Sequence, residues 1–180
     1  MKAFHFLKDN MRGGYGNEPA WKIGEERDIG DDNLKLCKRG YHSSPSWYDA
    51  LNYARGNMAC IVEVSKPIEK DETKYVSRKR KLLDARNAEK ALRAWACDCA
   101  ERALKKIKTE DKRSWNAIKV ARLYNDGKVS KEELSAAQSA ARSAARSAAG
   151  SAAGDAAGSA EIKWQKRRLN WYMRKLFNDS

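Results

Sequence analysis

The sequence contains few of the residues from which most catalytic and metal sites are built. Its 180 residues include only two histidines, His5 and His42, together with four cysteines and three prolines. Cys97 and Cys99 are two positions apart on a predicted helix, so their sulfurs point to different faces and make a poor metal pair. With only two histidines, the sequence also offers few ways to build a Ser/His/Asp or Cys/His catalytic site. We therefore predict no metal and no cofactor, and we favour a non-enzymatic function.

A long apolar run is also missing. The longest stretch of low charge, residues 135–160, consists mainly of Ala, Ser and Gly, which are too weakly apolar to hold a helix in a bilayer. Met1–Lys8 has no apolar segment of the kind found in a secretory signal. These absences predict a cytoplasmic protein with no membrane partner, in which the cysteines stay reduced.

Charge is plentiful and unevenly distributed. The net charge is +13, yet residues 1–60 contain nine Lys/Arg and eight Asp/Glu, a net of +1. Residues 61–180 contain twenty-eight against sixteen, a net of +12. A basic surface of this kind attracts nucleic acid, anionic membrane or an acidic protein, or simply keeps a protein in solution. Composition leaves these alternatives open.

The pattern of apolar residues predicts an α+β protein with two parts. Residues 1–80 form a small mixed domain, with strands at Ala3–Leu7 and Ala59–Val64. A helix capped by Ser44, with Pro45 at its first position, lies between them. Residues 81–180 form an all-helical, Ala-rich region, with only helices expected from Asp84 onward.

A tetrapeptide repeat of the form Ser-Ala-Ala-x occupies residues 135–160, in a helix that a Ser130/Glu133 capping box opens. Small side chains allow close helix approach, so the tract can pack within the chain or between chains, which leaves an oligomer possible. Glycine destabilises a helix interior, so we expect a bend or fraying near Gly150. Disorder of the whole tract is the alternative.

Two basic segments are candidate binding sites. The C-terminal helix has a stripe that alternates aromatic and basic residues, formed by Trp164, Arg168, Trp171 and Lys175. Such a stripe can stack on bases and meet phosphates, or it can pack within the protein through cation–π pairs. The second segment, at the predicted domain junction, is a run of four cations that suits either a phosphate contact or a solvated linker: Arg78, Lys79, Arg80 and Lys81.

Several motifs resemble known families. Gly40-Tyr41-His42-Ser43-Ser44, Asp49-Ala50-Leu51 and Val62-Glu63-Val64 resemble a domain of unknown function common in phages and prophages, over roughly residues 1–80. Residues 94–103, Ala-Trp-Ala-Cys-Asp-Cys-Ala-Glu-Arg-Ala, with the Ala-rich tract behind them, resemble helical modules labelled immunity proteins. The resemblances imply a phage or mobile-element protein acting in the cytoplasm of a bacterial host.

A more distant resemblance is to the ADP-ribosyltransferase fold. Tyr41–Ser44, Ala50 and Ile61–Val64 follow its order of a Ser-containing strand, a helix and an apolar strand. This resemblance implies catalytic candidates at His5, Ser44 and Glu63, with His5 holding NAD and Glu63, or alternatively Glu72, polarising the ribose hydroxyl. NAD is the implied cofactor only under this hypothesis.

Our leading hypothesis from the sequence is a binding protein that engages a host protein or ribonucleoprotein complex through its basic helical region. Inhibition of a bacterial defence complex, as anti-CRISPR proteins perform it, is one form of this function. Direct binding of DNA or RNA is the first alternative, and ADP-ribose transfer is the second.

Overall fold

A computed structural model describes residues 1–14, 17–30, 33–106, 111–148 and 155–178. The chain divides into two compact units, which we call the sheet unit and the helical unit. The sheet unit comprises Met1–Glu89 and the C-terminal segment from Met173, and the helical unit comprises Lys90–Tyr172. Antiparallel strands followed by helices confirm the predicted α+β class.

The sheet unit is built on an antiparallel sheet whose central strands are two long neighbours. Strand β4 pairs with β1 on one side and with β5 on the other, and the far edge of β5 pairs with both β2 and β3. A single short helix, α1, covers β1. The elements are β1 Lys2–Leu7, β2 Glu26–Asp28, β3 Tyr41–Ser43, α1 Trp47–Leu51, β4 Met58–Lys70 and β5 Tyr75–Asn87.

Alternation of side chains along the strands gives the sheet two packed faces. One face buries an aliphatic cluster around Trp21 that includes Leu7, Val62 and Leu82. On β1 the intervening Phe6 packs against Trp47 of α1, with ring centroids 5.9 Å apart. Burial on both faces explains why β1 and the first half of β4 contain nearly continuous apolar runs.

Two details of the sheet unit differ from the sequence-based predictions. The side chain of Ser46, not Ser44, caps α1 by accepting a hydrogen bond from the Asp49 backbone N–H. Ser44 instead exchanges backbone hydrogen bonds with Phe4, at 2.8 and 2.9 Å. The boundary predicted at residue 80 falls inside β5, which continues to Asn87, so the expectation of helices alone from Asp84 onward is wrong. Pairing with β4 keeps this charged segment extended.

The helical unit contains α3 Lys112–Asn125, α4 Lys131–Ala148, and most of α2 Glu89–Lys106 and of α5 Asp155–Asn178. The predicted capping box is confirmed at the start of α4, where Ser130 N–H donates to Glu133 and Glu133 N–H donates to Ser130 Oγ. A buried cluster of Cys97, Ile118, Ala121 and Leu134 joins α2, α3 and α4.

The bend or fraying predicted near Gly150 lies outside the described residues. In the part of the chain that is described, no helix is both long and apolar enough to cross a bilayer.

Candidate functional site

The basic run at residues 78–81 lies within β5, where strand pairing places acidic residues beside it. Arg78 donates to Asp28 Oδ1 at 2.8 Å, and Lys79 Nζ lies 3.4 Å from Asp28 Oδ2. The hydrogen bonds from Arg78, the Gly30 backbone and Lys79 hold the pKa of Asp28 well below its ordinary value. Lys81 is half-buried and is paired in register with Glu26 on one side and Glu63 on the other. The run is therefore part of the sheet and not a linker.

Arg80 differs from its neighbours because it is buried, with 4% of its surface exposed. Its guanidinium lies over the rings of Trp21 and Tyr41, at 4.5 and 5.1 Å from their centroids, and donates to the His42 carbonyl at 2.8 Å. Burial lowers the pKa of Arg80 to about 10. At that value the side chain is still cationic at neutral pH, so the sheet unit holds a buried positive charge.

The predicted stripe on α5 is largely occupied by contacts inside the protein. Arg168 donates to Asp98 of α2 at 2.6 Å and lies over the ring of Trp171 at 4.4 Å. Trp164 is half-buried, with the guanidinium of Arg102 4.6 Å from its ring centroid. Trp171 and Lys175 remain exposed. In the described geometry, the alternative of intramolecular cation–π packing accounts for Trp164 and Arg168.

Asp98 is the centre of these polar contacts. Its carboxylate accepts from Arg122 at 2.9 Å, from Arg168 at 2.6 Å and from the Tyr172 hydroxyl at 2.8 Å. Burial opposes ionisation of this carboxylate, but the three hydrogen bonds outweigh it and hold its pKa below the ordinary value. Asp98 therefore ties α3 and α5 to α2.

The solvent-facing basic surface of α5 lies beside the predicted stripe. Lys163, Arg167 and Trp171 follow one another at intervals of four residues, and all three are exposed. We call these three residues the α5 face. The ion pairs found among the described residues do not involve Lys163 or Arg167, whereas Arg168 is paired. Sequence reasoning identified Trp171 but missed Lys163 and Arg167, because several sets of residues on a basic helix satisfy helical spacing and only the position of Asp98 shows which set points inward.

The sheet unit contains a cleft of about 710 Å³. Two of the catalytic candidates implied by resemblance, His5 and Ser44, line it, together with Ser43, His42 and the buried Arg80. The third candidate, Glu63, is not among the lining residues, and its carboxylate is half-exposed 4.0 Å from the N-terminal amine. The structure thus brings His5 and Ser44 together without Glu63, and the use of NAD stays a prediction.

Both histidines of the cleft are neutral in the folded protein. The Nε2 atom of His42 accepts a hydrogen bond from the Cys37 backbone N–H at 2.9 Å, which requires an unprotonated nitrogen. Burial, with the neighbouring charges of Lys74 and Arg80, lowers the pKa of His42. Burial also lowers the pKa of His5 well below 6.5, and Arg80 and His42 lower it further.

Neutral buried histidines predict that acid destabilises the sheet unit. Below pH 6.5, His5 and His42 become protonated in the unfolded chain but stay neutral in the folded chain. The free energy of unfolding therefore falls as the pH decreases toward the folded-state pKa values. Each histidine contributes at most about 1.4 kcal/mol per pH unit. Denaturant unfolding between pH 6.5 and 5, a range above the titration of ordinary carboxylates, should show this slope, and His5→Gln should reduce it. A flat profile for the unmodified protein would contradict the prediction.

Metal-ligating side chains do not gather in groups of three or more anywhere in the described ranges. The four cysteines are free thiols, of which Cys60 is buried with its pKa raised by burial to about 12. A thiol in this state is a poor nucleophile, since reactivity belongs to the thiolate. Cys60 is not among the residues that line the cleft, whereas the exposed Cys37 lines it with its sulfur 2.8 Å from the Lys74 amine.

Comparison with protein families bears out both resemblances. Residues 1–94 match a family described as a domain of unknown function (DUF7666), and residues 82–179 match one described as "Imm-5 like putative immunity protein". Searches of curated proteins and of solved structures found no match. An immunity-protein-like domain fits a protein of a phage or mobile element. Since each family match covers more than half of the 180 residues, the chain belongs to both families, with an N-terminal DUF7666 domain and a C-terminal Imm-5-like domain.

Proposed function

We propose that this protein is a non-enzymatic binding protein of a phage or mobile element whose helical domain engages an acidic macromolecular partner. The observation that carries the proposal is the α5 face, where Lys163 and Arg167 are exposed one helical turn apart, in line with Trp171, which is 42% exposed. Arg168 on the same helix is instead neutralised by Asp98, whereas the ion pairs of the described residues leave Lys163 and Arg167 unneutralised.

A protein partner fits the α5 face better than a strand of nucleic acid. Binding of unpaired bases usually employs several aromatic platforms in succession. An arginine lies over each tryptophan of this helix, but Trp164 is half-buried, so Trp171 is the one exposed tryptophan of the helix among the described residues. One indole flanked by two cations instead suits a protein interface, where Trp and Arg are the commonest energetic anchors. A host protein or ribonucleoprotein of a defence system is the partner that we infer, with direct DNA or RNA binding as the alternative.

Charge reversal of the α5 face should abolish capture of this partner. The double variant Lys163→Glu/Arg167→Glu removes both exposed cations, and we expect affinity to fall about tenfold or more, since repulsion replaces attraction at the anchor. The matched control is Lys112→Glu/Lys119→Glu, which makes the same charge change at two exposed positions of α3. Co-purification from the bacterial host, followed by titration of the recovered partner, measures both variants.

Nuclease treatment before capture separates the two partner classes. A protein partner should still co-purify after the treatment, and its affinity should depend moderately on salt. A nucleic-acid partner should be lost from the purified sample, and its affinity should depend steeply on salt because binding releases counterions. Equal losses in the α5 and α3 variants would mean that total charge alone governs binding, and would remove the α5 face as the site.

A further inference from the structure

The buried cation Arg80 lines the cleft of the sheet unit, and hydrogen bonds inside the protein satisfy only part of its donors. Arg80 carries five N–H donors. One of them meets the His42 carbonyl, and the rings of Trp21 and Tyr41 that the guanidinium contacts accept no ordinary hydrogen bond. No described carboxylate forms an ion pair with Arg80; Glu18, which also lines the cleft, acts on it from a longer distance and is bonded to Arg27 and to the indole of Trp21. A buried cation without a paired anion is costly, which favours a ligand that supplies one.

The residues around the cleft add further positive charge. The described residues that line it include four cations, Lys38, Arg55, Lys74 and Arg80, and one carboxylate, that of Glu18. Lys74 lines the cleft, and its amine lies 2.8 Å from the Cys37 sulfur. The same amine is 3.7 Å from the carboxylate of Asp71, an exposed residue that does not line the cleft. An excess of cations in a concave, partly dry site concentrates the field there and attracts anions.

A second, independent observation comes from Ser43. It is 3% exposed, it lines the cleft, and its Oγ is a buried polar atom with no hydrogen-bond partner among the described residues. Leaving a hydroxyl unpaired in a folded interior is unfavourable, and such groups are rare in native proteins. An acceptor bound in the cleft would satisfy the Ser43 hydroxyl and the remaining Arg80 donors together.

We propose that the cleft binds a nucleoside phosphate, with its phosphate against Arg80, Ser43 and Lys74. Four cations against one carboxylate favour a group with more than one negative charge, as a phosphate monoester has at neutral pH. Neutral His5 adds an N–H donor without competing for the phosphate's proton. This inference is independent of the partner proposed for the helical domain.

The remainder of the cleft suits the nucleoside part of such a ligand. Its volume of about 710 Å³ lies within the range of small-molecule sites and exceeds what a free phosphate would fill. Phe6, Ala50 and Ala54 give one wall an apolar surface, and Tyr53 stands beside them with 46% of its surface exposed. An aromatic ring next to an apolar wall can stack with a base.

Isothermal titration calorimetry on the full chain tests the proposal with the four common nucleoside monophosphates, their unphosphorylated nucleosides, and inorganic phosphate. We expect at least one monophosphate to bind, its nucleoside to bind at least about tenfold more weakly, and phosphate to compete at higher concentration. Absence of binding by every monophosphate at about 1 mM would overturn the proposal. Equal binding of nucleoside and nucleotide would overturn it too, because the cations would then have no role.

Two variants show whether binding uses the proposed residues. Ser43→Ala removes a hydroxyl that has no described partner, so the protein should fold with unreduced stability while affinity falls about tenfold. Lys74→Gln should weaken binding by a similar factor, and Lys112→Gln on α3 is the control with the same loss of charge. Unchanged affinity in both cleft variants, with their folding verified by thermal unfolding, would place the ligand elsewhere and reject the assignment.

Discussion

Replacing Asp98 by asparagine should lower the free energy of unfolding of the helical domain by about 2–3 kcal/mol. The carboxylate is 11% exposed and binds Arg122, Arg168 and the Tyr172 hydroxyl. Removal of one member of a buried ionic cluster costs about 3–5 kcal/mol because the partners keep their charge. We expect less here, since Arg122 and Arg168 are 41% and 36% exposed and water can solvate them.

Chemical denaturation followed by far-ultraviolet circular dichroism measures this change, because the domain is helical. The control is Asp126→Asn, the same substitution at an exposed pair with Lys128, which should cost less than about 0.5 kcal/mol. Similar costs in the two variants would contradict the central role of Asp98. Arg168→Ala should also destabilise the domain, so any loss of partner binding in that variant must be corrected for folding.

Replacing Gly40 by alanine should destabilise the sheet unit by about 3 kcal/mol, from two separate causes. The φ angle of Gly40 is +115°, a conformation that residues with a Cβ rarely adopt. A Cβ at this position would also overlap Val76 and come within 3.1 Å of Leu34 and of the Ser77 carbonyl oxygen. Strain and overpacking each contribute about 1–3 kcal/mol.

Gly24→Ala isolates the first of these causes. Gly24 has a similar φ of +87°, but a Cβ at this position would meet no atom within 4 Å. We therefore expect a loss of about 1–2 kcal/mol for Gly24→Ala, and about twice that for Gly40→Ala. Denaturant titration of both variants provides the comparison. Equal losses would mean that β3 and β5 shift easily to admit a Cβ, and that the cleft floor formed beside Gly40 is adaptable.

Local sequence signals were sufficient for the elements whose interactions are local. The capping box at Ser130 and Glu133 closes within four residues, and the start of α4 follows from it. Strand β1 was predicted from the β character of its residues, and the apolar first half of β4 from a run that suits a buried strand. In each case the residues that give the signal and the element that they form lie within one turn or one strand.

Charged segments could not be assigned in the same way. Residues 78–87 contain six charged side chains and were expected to leave the sheet, yet they form most of β5. Their extended form depends on partners from distant parts of the chain, such as Asp28 beside Arg78 and Lys79. The burial of Arg80 beneath Trp21 and Tyr41 depends on loops whose paths no local pattern describes.

The sequence by itself determined the class of the protein, its two-part organisation and the basic character of its helices, because composition and periodicity depend on the chain alone. Only the tertiary structure decided which cations of the helices are exposed and which are neutralised by ion pairs. Asp98 neutralises Arg168 from a position 70 residues away, and leaves Lys163 and Arg167 exposed on the adjoining surface. Arg80 likewise became a buried charge in a cleft because β2, β3 and β5 bring together residues that are far apart in sequence. Electrostatic interactions act through space, so their outcome is decided by the fold.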